Sequence, residues 1–219
     1  PYSMEVMTAL ILNKTTNIVL SQLHNQLHLN DATKLFIYTY EKIPESNQQA
    51  KKIDTIDDEL SNTVFGSLKK ITETDMEYIS GLVDLFGNYL CKRMDFIESI
   101  KLLNLLVQSL WPFLKVPKSQ DPAIRCLESI ERSIPTDYVE SAVANAFAKE
   151  ESLNVKIDVL NLLWISLPQT STLYIRPLEI IFDELNNSQN PYYLSVSKWI
   201  YSLNTAGTIN NLFRIIMNQ

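Results

Sequence analysis

The sequence predicts an all-α fold: an α-solenoid of about 10–12 helices stacked as antiparallel pairs. Three observations predict it. Apolar residues recur near every 3.6 positions through almost all of the 219 residues, which is the spacing of one helix face. Glycine is scarce, with four residues where average usage of about 7% would give roughly fifteen. Sheet-rich folds and phosphate-cradling loops both need glycine for tight turns. Finally, the stretch from Asp121 to Pro168 holds three helix starts and three prolines without a single glycine. Short helices joined this tightly run antiparallel and cannot bury their apolar faces alone, so they must stack on neighbouring pairs.

Taken in order, helices are expected over about 3–12, 15–29 and 31–43. The polar run "PESNQQAKK" has no apolar period and reads as a flexible loop over 44–52. From about 54 to 71, Ile53, Ile56, Leu60, Val64, Leu68 and Ile71 form one stripe. Asp57, Asp58, Glu59, Lys69 and Lys70 are placed on the other side, acid early and base late, as the helix dipole favours. A helix over about 75–94 follows. Asp95 then reads as the N-cap of a helix to about 110 that is apolar nearly all round, closed by Pro112 and Pro117. Asp121-Pro122 reads as an N-cap with proline at the first helical position. That helix ends by Pro135. Thr136 caps the next, to about Lys149, and Ser152 starts another, ended by Pro168. Further helices are expected over about 170–185, over 191–204 and from 208.

Taken two at a time, the later helices begin near 121, 152 and 191, steps of 31 and 39 residues, the length of helix-pair repeats. The tetratricopeptide and ankyrin signatures are absent. That leaves the degenerate HEAT or armadillo (HEAT/ARM-like) type, read as a single helical-repeat domain over 1–219.

Composition narrows the function classes. At 46% hydrophobic and 20% charged, the chain can bury a real core. Its net charge is −6, and Lys51-Lys52, Lys69-Lys70 and Lys92-Arg93 are separated by acidic stretches. This disfavours nucleic acid and an anionic membrane surface, both of which want a concentrated basic face. Cys91 and Cys126 are read as free thiols. No run of eighteen apolar residues predicts a transmembrane helix, and no signal peptide is seen. The opening Pro1-Tyr2-Ser3 reads as a piece of something longer or a processed chain.

His24 and His28 are spaced i, i+4, half of a metal site, but no acid or thiol lies close in sequence, and Asn25 stands where a zinc-protease motif needs glutamate. No nucleophile elbow or P-loop is present. The expectation is a chain that is not an enzyme and has no cofactor, metal or small-molecule substrate. Trp111, Trp164 and Trp199 are read as core anchors. Tyr192 and Tyr193, after the Asn190-Pro191 turn, are candidate partner contacts. Asp57 and Asp58, in an acidic run, are candidates for receiving a basic peptide.

The segment "NPYYLSVSKWIYSLNTAGTINNLFRIIM" resembles a stretch of the Dopey family. The resemblance covers about thirty residues and carries no catalytic motif. It implies a large HEAT-type scaffold of endosome and Golgi traffic, cytoplasmic and peripheral on those membranes, working with a Mon2-like partner. The expected function is therefore a non-enzymatic protein–protein interaction scaffold within a larger assembly for protein transport. The alternative is a nucleic-acid-associated HEAT-like module of a nuclear complex. It would require Lys92, Arg93, Lys115, Lys118 and Arg125 to converge on one face.

Overall fold

The computed structural model describes residues 4–25, 29–43, 51–70, 76–168 and 170–186. Among these it holds nine helices and no strand. They are α1 (Met4–Asn25), α2 (Leu29–Glu41), α3 (Lys51–Lys70), α4, α5 (Phe96–Leu114), α6 (Gln120–Ser133), α7 (Thr136–Ala148), α8 (Leu153–Ser166) and α9 (Ile175–Asn186). Helix α4 is composite: an α stretch Met76–Leu85, a π turn Phe86–Leu90 and a closing α turn Cys91–Arg93. The helices expected over 191–204 and from 208 lie outside the described residues, as do residues 44–50 of the expected loop. Lys51 and Lys52 open α3 instead of ending that loop.

The N-terminal pair expected over 3–12 and 15–29 is one continuous helix. A second helix was expected to start at Thr15, but the Thr15 hydroxyl donates to the Leu12 carbonyl at 2.9 Å, and that of Thr16 donates to the same oxygen at 2.8 Å. Hydroxyls that bond back one turn sit inside a helix rather than starting one. Pro112 does not close α5, which runs two residues further; so near the end, a proline removes only one backbone bond. Helix α6 begins at Gln120, after a 3-10 turn Pro117–Ser119, with Asp121 in its first turn. Pro135 stands at the N-cap of α7, where Thr136 was expected. Ser152 is the N-cap of α8 as read, its Oγ accepting from the Val155 N–H at 3.5 Å. Helix α9 starts five residues later than expected, after turns through Tyr174.

Packing follows chain order. Helix α1 packs on α2 and α3, α2 on α4, α3 on α5, and α4 on α5 and α6. Helix α5 packs on α6 and α7, α6 on α7 and α8, α7 on α9, and α8 on α9. Every extensive contact among the described residues thus joins helices one or two places apart. The core runs the length of this series, from Leu12, Val19 and Leu23 through Leu60, Ile79, Leu82, Leu106 and Leu110 to Ile130, Phe147, Leu163 and Ile181. Helix α5, apolar nearly all round, is covered by four neighbours.

Two glycines let α4 approach its neighbours. A Cβ on Gly81 would lie 2.9 Å from the Asn30 backbone nitrogen, and one on Gly87 would lie 2.7 Å from Ser133 Oγ. Both distances are inside normal contact, so α4 meets the start of α2 and the end of α6 through bare backbone.

Candidate partner-binding site

Asp57 and Asp58 are neighbours in sequence but not in environment. Asp58 is exposed, whereas Asp57 is 7% exposed. Asp57 was expected on the solvent side of α3 and is instead buried. The reason is spacing: it lies three residues before Leu60, four before Ser61 and seven before Val64, all buried, so it belongs to the inward stripe. Its carboxylate accepts hydrogen bonds from the Tyr89 hydroxyl at 2.5 Å and from Arg93 Nε at 2.8 Å. A buried charge is tolerated when it is paired and hydrogen-bonded in this way.

Three helices build this cluster. Tyr89 lies in the π turn of α4, and Arg93 lies four residues on. The Tyr89 ring meets Phe36 and Tyr40 of α2 edge to face, at 4.8 and 4.7 Å between centroids, a favoured aromatic geometry. Burial pushes the Tyr89 phenol far above its usual range, and the hydrogen bond to the Asp57 carboxylate pushes it the same way. Burial also raises Tyr40 and Tyr78. Sequence reading missed Tyr89 and Arg93. The available signal was an acid at a core-facing position, which demands a donor from elsewhere in the fold.

A second polar cluster ties α6, α7, α8 and α9. Ser171 Oγ donates to Glu131 Oε1 at 3.1 Å, and Thr172 donates to Glu140. Arg176 donates to Ser141 Oγ at 2.8 Å and lies 3.5 Å from Glu140. Lys156, itself buried, pairs with Glu184. Lys115 at the end of α5 reaches Glu150 at 2.7 Å and holds that carboxyl below its usual range.

Tyr192 and Tyr193 lie outside the described residues, as do His28 and Trp199. His24 is exposed, its Nδ1 2.7 Å from the Leu20 carbonyl of its own helix. No cluster of metal-binding side chains occurs among the described residues. Trp111 is buried edge to face with Phe147, and Trp164 packs on Tyr174. Cys91 and Cys126 are free thiols. Burial raises both, Cys126 to about 11. A groove of about 440 Å³ between α4 and α6 is lined by Glu77, Asp84, Arg125 and Cys126. Another, of about 410 Å³, lies between α8 and the junction of α5 and α6. Burial raises the Asp84 carboxyl.

The five basic residues of the nucleic-acid alternative do not form one patch. Lys92 and Arg93 precede α5, whereas Lys115 and Lys118 follow it. The 19 residues of that helix separate the groups by about 28 Å. Arg93 and Lys115 are also engaged in the ion pairs with Asp57 and Glu150.

The described residues thus define an all-helical protein whose polar side chains tie helix to helix. Comparison of sequences takes this further. The chain is 39% identical over its whole length to Protein DOP1 of Saccharomyces cerevisiae, and it spans 13% of that protein's length. It is a segment of Dopey-family sequence. No family model matches the chain. No solved structure matches it. Among the described residues no helix is long and apolar enough to cross a membrane.

Proposed function

We propose that this chain is a stretch of HEAT/ARM-like α-solenoid and that it serves as a non-enzymatic protein–protein interaction scaffold in a larger assembly. The observation that carries the architecture is the order of packing: extensive contacts among the described residues join each helix to the next and the next but one, the pattern of a row of stacked pairs. A bundle around one centre would bring distant helices together. The polar clusters support a non-catalytic role, because Asp57, Tyr89, Arg93 and Lys156 are engaged between helices.

The assembly belongs to endosome and Golgi membrane traffic, with a Mon2-like protein as partner. The chain sits in the cytoplasm and reaches those membranes peripherally, through the assembly. Support for this comes from the likeness to DOP1 and from what membership of the Dopey family implies. A curved row of helices suits the role: it offers one long surface on which a few aromatic and apolar anchors, ringed by polar contacts, supply affinity.

Two experiments test the two halves. Truncation after Lys149 removes α8 and α9. A stacked row keeps α1–α7 folded, with a cooperative but lower melting transition by circular dichroism. Loss of the transition rejects the row. Titration of the purified chain against a purified Mon2-like protein by calorimetry tests the partner. Saturable binding is expected, and no heat at micromolar concentrations rejects it.

A further inference from the structure

Helix α1 is apolar on two opposite sides, and one of them is bare. Leu12, Val19, Leu20 and Leu23 are buried, on the side where α2 and α3 pack. Met7, Leu10, Ile11 and Ile18 are 50%, 53%, 48% and 42% exposed. At about 100° per residue, these four lie opposite the buried set. Helix α2 also exposes Leu35 and Tyr38, at 48% and 61%. Six of the ten large apolar side chains exposed among the described residues thus belong to these two helices. Helix α5 is also apolar nearly all round, but α3 and α7 pack on it and only Phe96 and Ile97, at its start, are among the exposed large apolar residues.

We infer that the outer face of α1 and α2 is a stacking surface for one further antiparallel helix pair, amphipathic, with its apolar stripe against this face. This rests on the solenoid reading above. Two observations choose that occupant. The first is continuity, since α3, α5 and α7 each pack on the helix two before and the helix two after, and α1 has only the latter. The second is length: most of DOP1 lies outside the 13% matched here, enough polypeptide to supply the pair in that protein.

The test is thiol labelling. Ile11→Cys on α1 and Leu35→Cys on α2 are made in the 219-residue chain and at the aligned positions of full-length DOP1. Maleimide attachment at the new site is followed by mass spectrometry. Both positions are exposed, so folding is retained, and circular dichroism checks it. Fast labelling is expected in the 219-residue chain, and labelling at least tenfold slower in full-length DOP1. Equal rates overturn the proposal. So does slow labelling in the short chain: rates that rise on dilution assign the face to a second copy, and rates slow at every dilution assign it to the chain itself. The truncation above separates the two failures. Equal labelling with a cooperatively folded truncation removes the stacking surface and leaves the row intact.

Discussion

Asp57 and Glu184 both accept an interhelical ion pair, but from opposite situations. Asp57 is the enclosed partner, with a side chain 10% exposed, and its cation Arg93 is 20% exposed. In the C-terminal pair the cation is enclosed: Lys156 is 7% exposed and Glu184 is 34% exposed. Removing Arg93 therefore strands a carboxylate in the core, while removing Lys156 leaves a carboxylate that water can reach. Two ion pairs of similar appearance then hold the chain together to very different degrees. What decides is which charge stays behind.

The largest effect expected is that of Arg93→Met, a loss of about 3 kcal/mol of unfolding free energy, since an uncompensated buried charge remains. Urea unfolding followed by circular dichroism measures it. Gly81→Ala comes next, at about 2 kcal/mol, because the new methyl meets backbone rather than a movable side chain. Gly66→Ala is its control: that site has nothing within 4 Å, so the change stabilises α3 by about 0.5–1 kcal/mol. Tyr89→Phe deletes one donor to a charged acceptor and costs about 1.5 kcal/mol. It also reports through pH. Tyr40, Tyr78 and Tyr89 keep their protons in the folded chain above the ordinary phenol value of 10.0, where the unfolded chain releases them. Stability therefore falls as pH rises past about 10, and Tyr89→Phe flattens that fall. An unchanged alkaline limb would remove the phenol from the account. Lys156→Met is the smallest, within about 1 kcal/mol of the parent; a loss equal to that of Arg93→Met would erase the contrast.

Helical class, the order of elements from α3 to α9 and the ends of α7 and α8 were legible, because apolar period and proline punctuation are local signals. Ser152 marked a true cap. Thr15 misled because a hydroxyl at the start of one helix and a hydroxyl that bonds back within another look alike in sequence. Asp57 was placed outside by its acidic neighbours Asp58 and Glu59, although its spacing to Leu60 and Val64 already put it with the buried set. Tyr89 and Arg93 could not be paired with it, being 32 and 36 positions away on another helix. The bare side of α1 was legible only as an apolar helix, since a sequence does not say which neighbours are present.

The π turn at Phe86–Leu90 holds one residue more than a regular turn would. Everything after it is swung about 100° around the helix axis relative to an uninterrupted α-helix. Arg93 thus reaches the Asp57 carboxylate through a single added residue. A one-residue deletion within 86–90 would leave composition almost untouched, smooth the helix and turn the guanidinium away from its acid. In a chain of this family, a length change of one residue here carries more weight than several surface substitutions elsewhere.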